Sequence, residues 1–185
     1  MTLGGHMIHL FHRKKSEDQE SSRWKEEVVT LYACRKDLEH IPQEIEESFS
    51  EMFQHFCMET ENHYVAQLKD GSSMNFHITT KEEETAAQTK GMANFFSQAP
   101  LDNLEVKEAV LAQILMFNCI IGIGFQINDT VERNQMLLGK INELAKRLSA
   151  LLLYPSMALY DYHGQLLLSL DGQSDVQTYR PIQEK

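Results

Sequence analysis

The chain has 185 residues and a formal net charge of −10, because 27 acidic residues face only 17 Lys and Arg. Hydrophobic residues make up 42% and charged residues 24% of the chain, which are ordinary values for one globular domain. The acidic balance argues against the class of proteins that hold nucleic acid through clustered Lys and Arg. We therefore expect no nucleic acid partner.

Cysteine usage and hydropathy indicate the compartment. Cys34, Cys57 and Cys119 are far apart and form no CxxC pair, which indicates free, buried thiols in a reducing compartment. The first basic cluster follows a short apolar stretch, the reverse of the order in a secretory signal. The longest apolar run, residues 109–125, contains polar residues and is shorter than the ~20 residues of a membrane-spanning helix. We expect a cytoplasmic protein with no membrane contact.

The pattern along the chain predicts a single α+β domain over residues 25–171. A flexible N-terminal arm, residues 1–24, precedes it, and its "GGHM" stretch resembles a cloning remnant. A polar C-terminal tail, residues 172–185, follows the domain. Residues 26–35 are rich in β-branched and aromatic side chains, which predicts the first strand.

One long helix is predicted next, over residues 41–58. Apolar residues recur there at spacings of three and four and form one stripe. An acidic run without Lys or Arg, from Asp37 to Glu61, lies mostly on the opposite face. Such a face could receive a basic partner, but we interpret it as a solvated helix surface.

A hairpin over residues 63–80 is predicted to turn at Asp70-Gly71, where glycine can take positive φ. The register that gathers the large apolar residues on one face puts His63 and His77 together on the other face. Thr80 and Glu83 have the spacing of a capping box for the helix that follows. Farther along, the pattern predicts helices over residues 80–100, 102–117 and 129–153, a buried strand over 119–127, and a second hairpin at His163-Gly164.

Two glycines in the predicted buried strand, Gly122 and Gly124, suggest a nucleotide-binding loop at first sight. The third glycine of a dinucleotide fingerprint is replaced by Ile127, and the next helix begins with the acidic residues Asp129 and Glu132, which would repel a phosphate. Both glycines have the same parity and lie on one face of a strand. We therefore predict that they form a shallow groove against which a helix packs, or mark a bulge.

The predicted order is β-α-β-β, two helices, and β-α-β-β again, with amphipathic helices packed on the sheet. Helix crossovers imply parallel strands and hairpins add antiparallel ones, so we predict a mixed sheet and the α+β class. The hairpin "QLKDGSSMNF", the strand "NCIIGIGF" and the closing "MALYDYHGQLLLS" resemble an uncharacterised bacterial family of small α+β proteins, a domain of unknown function. That resemblance covers about residues 26–171 and implies no activity or catalytic residue.

Histidines are the candidate metal ligands in this sequence. His6, His9 and His12 have a spacing of three, but they lie in the predicted arm. His63 and His77 share one hairpin face, and a zinc site there would need a third ligand, which Glu59 or Glu61 could supply only if the chain bends suitably. We expect an ordinary polar strand face, with no metal, no cofactor and no catalytic set. The site residues for a ligand remain open.

Two classes of function follow from these patterns. The first is a non-catalytic binding or interaction module, with a homo-oligomer or a protein partner as an open question. The alternative is an enzyme or small-molecule sensor that uses a cleft between the two β-α-β-β halves. The element order also resembles the paired modules of the glyoxalase and bleomycin-resistance superfamily, although those modules carry an extra strand and a His/Glu ligand set.

Overall fold

A computed structural model describes residues 24–182 of the chain, which form one sheet and four helices. The long strands are β1 (Lys25–Ala33), β2 (Phe53–Thr60), β3 (His63–Leu68), β4 (Ser73–Thr79) and β5 (Cys119–Ile127). The short strands are β6 (Leu151–Leu153), β7 (Leu159–Tyr160) and β8 (Leu166–Leu168). The helices are α1 (Ile41–Phe49), α2 (Glu82–Ser97), α3 (Leu104–Ile114) and α4 (Val131–Leu148).

The strands lie in the order β2-β3-β4-β5-β1-β6-β7-β8, and every neighbouring pair is antiparallel. The predicted α+β class is confirmed, but the predicted mixed sheet is wrong. The strands that α1 and α4 connect do run in the same direction, as helix crossovers require. Other strands lie between them, because β5 inserts between β4 and β1 while β1 separates β5 from β6. No parallel neighbours result.

The predicted helix over residues 41–58 is also wrong beyond Phe49, because β2 begins at Phe53. A register shift in β2 between Phe53 and His55 explains the misleading spacing. The extra residue lets Phe53 and Phe56, three apart, point to the same side of the sheet, where their rings stack at 5.3 Å. A bulged strand therefore imitates the apolar period of a helix.

The same error affects the second half of the chain. The helix predicted over residues 129–153 ends at Leu148, and Leu151–Leu153 form β6. Ser149 has a left-handed backbone, with φ of 50°, which ends α4 and turns the chain. Each half is therefore β-α-β-β-β rather than β-α-β-β.

One face of the sheet, the α1/α4 face, carries the main hydrophobic core. Helices α1 and α4 pack side by side on it, and the alternate residues of β1, β3, β4 and β5 point into it. The hairpin register is confirmed, since Tyr64 pairs with Phe76 and His63 with His77. The strand residues buried on this face are Val29, Leu31, Ala33, Phe53, Ala66, Leu68, Met74, Phe76, Ile78, Cys119, Ile121, Ile123, Phe125 and Leu152.

The opposite face, the α2/α3 face, has a smaller core. Helices α2 and α3 cover the part of the sheet where Tyr32, Ile120 and Leu151 lie in one row across β1, β5 and β6. Within residues 24–182, the rows nearer the other end of β1, β4 and β5 carry polar, small or exposed residues. The sheet is thus covered over most of one side and half open on the other.

The chain from residue 172, which the sequence analysis treats as a polar tail, continues along the domain as far as residue 182. Val176, Tyr179 and Ile182 are partly buried against the core of the α2/α3 face. The backbone N–H of Asp175 donates to the carbonyl of Leu166 at 2.8 Å. Gly172 passes so close to the carbonyl of Pro100 that a Cβ there would collide with it.

Two further sequence predictions concern the membrane and the N-terminal arm. Among the described residues, no helix is both long and apolar enough to cross a lipid bilayer. His6, His9 and His12 lie outside the described residues. Trp24 is the last residue of the predicted arm and the first that the structure describes, and its ring stacks on the guanidinium of Arg133, 5.0 Å from its centroid.

Candidate functional site

A depression of about 300 Å³ lies on the open half of the α2/α3 face, and we call it the glycine trough. Its floor is β5, and its sides are residues of β1 on one side and of β4, β3 and β2 on the other. The depression spans strands of both halves of the chain, because β4 ends the first meander and β5 begins the second half. The lining residues are Val28, Thr60, His63, Asn75, His77, Gly122 and Gly124.

The strand pairing shows how the glycine trough arises. Gly122 lies between His77 on β4 and Thr30 on β1. Gly124 lies in the next row of the same face, between Asn75 and Val28. Each row therefore has side chains on both sides and bare backbone in the middle. The two missing side chains, about 7 Å apart along β5, leave a slot that runs along this strand.

The packing role predicted for these glycines is wrong. A Cβ built on Gly122 or Gly124 would have only atoms of His77 or Asn75 within 4 Å, at 3.8 to 4.0 Å. These are ordinary contacts, and neither glycine has a positive φ. The register of β5 with both neighbours is also continuous, so no bulge is present there. In the described structure, the glycines face open space rather than a helix.

His63 and His77 stand at one corner of the glycine trough. They pair directly across β3 and β4, with ring centroids 6.4 Å apart and ring planes at 52°. Glu59 follows a register shift near the end of β2, and its Oε2 lies 3.0 Å from Nδ1 of His63. The chain thus does bend as the sequence analysis required, and it brings Glu59 to His63. The carboxylate orients the imidazole, and Nε2 of His63 has no hydrogen-bond partner in residues 24–182.

Two polar side chains in the glycine trough can form further hydrogen bonds. Among the described residues, the side-chain amide of Asn75 and the imidazole of His77 have no hydrogen-bond partner. Neither side chain is fully buried, so water can reach both. A ligand could replace that water with direct hydrogen bonds.

The metal hypothesis lacks a complete ligand set in this part of the chain. Within residues 24–182, no three His, Cys, Asp or Glu side chains converge in a way that could hold a metal ion. Glu59 engages His63, while His77 contributes a ring contact only. The expectation that the protein uses no metal and no cofactor stays a prediction.

The cysteines offer no activated nucleophile. Cys34 and Cys119 are buried, and burial raises the pKa of the Cys119 thiol to about 12, far from the range of a reactive thiolate. Cys57 is exposed on the edge strand β2, so the prediction of three buried thiols is wrong for this one. None of the three forms a disulfide within the described part of the chain, as expected.

A second depression, of about 530 Å³, lies between α4 and the β6–β7 connection. Among its polar groups, the hydroxyl of Tyr154 lies 3.4 Å from Oδ1 of Asn142. The rings of Tyr154 and Tyr160 meet edge to face at 5.4 Å. Burial raises the pKa of Tyr154, which keeps it protonated. We regard the glycine trough as the candidate site, because two strand glycines leave bare backbone on its floor.

The sequence pattern indicated the histidine pair but not the glycine trough. The missed signal is the alternation of Ile121, Ile123 and Phe125 with Gly122 and Gly124. The large residues of this strand point into the core, so the glycines must lie on the opposite face of the sheet. Whether a helix covers that opposite face is a long-range property that the alternation does not contain.

Comparison with known proteins adds no relative to these observations. No family model, no curated protein and no solved structure matches the chain. The resemblance to a bacterial family of small α+β proteins therefore stays a prediction. The geometry of the glycine trough carries the functional argument by itself.

Proposed function

We propose that the protein is a binding module that holds a small ligand in the glycine trough without changing it chemically. The observation that carries this proposal is a pair of strand glycines that folding does not need. A glycine inside a strand costs roughly 0.5–1 kcal/mol relative to alanine. Gly122 and Gly124 avoid no clash and take no unusual backbone conformation in return.

Space above the sheet is what these two glycines provide. Strand glycines often mark a place where a ligand or another backbone approaches closely. The volume of about 300 Å³ is at the lower end of small-molecule sites. Asn75, His63 and His77 supply the few polar groups that such sites use to orient a ligand.

A screen of small fragments against the full chain, followed through backbone amide resonances, tests this proposal. Fragments should shift the resonances of the residues that line the glycine trough. The double variant Gly122→Ala/Gly124→Ala should lose this binding, because two methyl groups occupy the floor. Gly91→Ala is the matched control, since its added Cβ has no atom within 4 Å and lies on the exposed side of α2.

Two results would overturn the proposal. The first is a wild-type protein in which no fragment shifts resonances of the glycine trough. The second is a double variant that binds the same fragments with unchanged affinity. The Gly91→Ala control should behave as the wild type in either case.

Catalysis in the same trough is the second candidate, and the contact between Glu59 and His63 favours it. A carboxylate that holds one ring nitrogen of a histidine leaves the other nitrogen to act as a general base. The two candidates differ in the fate of the ligand. Recovery of a bound fragment unchanged after prolonged incubation supports the binding module, whereas its conversion, lost in Glu59→Gln, supports an enzyme.

A further inference from the structure

We infer that the ligand of the glycine trough is a flat, aromatic compound without negative charge, which stands on edge in the slot over β5. This inference rests on the proposed function and names its ligand class. One face of the ring would lie against His77 and Asn75, and the other against Val28. Three properties of the slot carry the inference, namely its width, the chemistry of its sides and its charge.

The width of the slot follows from the sheet. Neighbouring strands are about 4.8 Å apart, so β4 and β1, on either side of β5, are about 9.6 Å apart. Carbon atoms in contact lie about 3.5–4.0 Å from each other, so one layer of atoms between the two sides needs about 7–8 Å. Two stacked layers would need about 11 Å. The slot therefore accepts a ligand one layer thick.

The sides of the slot favour an aromatic ring. His77 is exposed and presents an imidazole whose only ring neighbour among the described residues is His63. Val28, on the opposite side, is 48% exposed, which is unusual for an apolar residue in the middle of a sheet. A planar ring between them gains stacking on one face and apolar contact on the other. The free amide of Asn75 can bind a polar group on the ring edge.

The charge near the slot disfavours an anion. None of the lining residues is Lys or Arg. Two acidic residues lie beside the slot: Glu59, which contacts His63, and Glu26, which precedes Val28 by two residues on the same face of β1. With a net charge of −10 on the whole chain, an anionic ligand meets repulsion at short and long range.

Three matched probes test the ligand class on the full chain: benzamide, cyclohexanecarboxamide and benzoate. Benzamide is flat and neutral, the second is its saturated analogue, and the third is a flat anion of the same size. Titrations followed by the amide resonances of Gly122 and Gly124 should show benzamide binding at least fivefold more tightly than the other two. His77→Ala should remove most of the preference for benzamide over cyclohexanecarboxamide, because it removes the stacking face.

The outcomes separate this inference from the proposed function. Equal or tighter binding of cyclohexanecarboxamide or benzoate overturns the ligand class while leaving a binding site in the glycine trough. The same holds if none of the three probes binds but other fragments do. If no fragment of any kind binds there, the proposed function itself fails. Gln67→Ala, a change on the same sheet face outside the lining residues, should leave all three titrations unchanged.

Discussion

Gly122 and Gly124 show how one residue type can serve a site at the expense of stability. Because the added Cβ meets only ordinary contacts, Gly122→Ala and Gly124→Ala should each keep or raise the free energy of unfolding, by up to about 1 kcal/mol. Chemical denaturation measures this change. Ile121→Ala, one residue away on the core face, should instead lose about 2–5 kcal/mol. If either glycine variant lost more than about 1 kcal/mol of unfolding free energy, that glycine would be needed for close packing, as the sequence predicts.

Arg133 joins four segments at one end of the sheet. Its guanidinium donates to Oδ2 of Asp70 at 2.9 Å, to the hydroxyl of Ser72 at 2.7 Å and to the carbonyl of Gln126, and it stacks on Trp24. Its side chain is only 10% exposed. This set of contacts needs the planar, forked group of arginine.

We expect Arg133→Ala to lower the free energy of unfolding by about 2–3 kcal/mol, since it leaves charged and polar partners unsatisfied. Arg133→Lys should recover less than half of this loss, because one ammonium cannot reach all the acceptors. Urea unfolding measures both variants. Full recovery with lysine would mean that charge alone, rather than the forked geometry, stabilises this corner.

Asp70 makes part of this stability dependent on pH. Partial burial opposes ionisation, but hydrogen bonds from Ser72 and Arg133 outweigh it and lower the pKa of Asp70 below 3.8. A carboxyl whose pKa is lower in the folded state stabilises the fold at neutral pH, and this contribution disappears as the pH falls through the folded-state pKa. The difference in unfolding free energy between wild type and Asp70→Asn should therefore shrink as the pH falls below the ordinary aspartate pKa of 3.8. A difference that stays constant as the pH falls would contradict the assignment.

At the scale of elements, the N-terminal caps of the helices differ from those that the sequence motif predicts. Thr80 and Glu83 have the spacing of a capping box, but α2 begins at Glu82 after Lys81, without a side-chain cap. At α3, by contrast, Oδ1 of Asn103 accepts the backbone N–H of Val106 at 3.1 Å. Nδ2 of Asn103 donates to the carbonyl of Gln177, which ties the C-terminal segment to this helix.

Asn103→Ala should therefore cost about 1 kcal/mol or somewhat more, because it removes both a cap and a tertiary hydrogen bond. Thr80→Ala should cost under about 0.5 kcal/mol, as is usual at positions without a special role. Thermal unfolding of the two variants under the same conditions compares them directly. A larger loss in Thr80→Ala than in Asn103→Ala would favour the motif over the observed geometry.

At the scale of the whole molecule, the C-terminal segment completes the smaller core. Deletion of residues 172–185 should lower the free energy of unfolding by about 2–4 kcal/mol, because Val176, Tyr179 and Ile182 leave the core of the α2/α3 face exposed. Tyr179→Phe is the matched control. The hydroxyl of Tyr179 is buried without a hydrogen-bond partner among the described residues, so its removal should leave stability unchanged or raise it. A stable deletion variant would show that the segment is dispensable.

The sequence by itself determined the elements whose evidence is local. The strand over 119–127, the hairpin that places His63 and His77 on one face, and the turn at Gly164 were predicted correctly. The alternation of apolar and polar residues indicates which face of a strand is buried, and a glycine that can take positive φ indicates a turn. Both signals lie within a few residues of the chain. The helix predicted beyond Phe49 failed for the same reason, because a bulge gives a strand the local spacing of a helix.

Only the tertiary structure decided the strand order, and with it the site. The insertion of β5 between β4 and β1 pairs residues about 45 and 95 positions apart in the chain, and no local pattern encodes such a pairing. That insertion places Gly122 and Gly124 between His77 and Asn75 on one side and Thr30 and Val28 on the other. The helices α2 and α3 cover only the other half of this face, and the glycine trough stays open because their coverage ends before it.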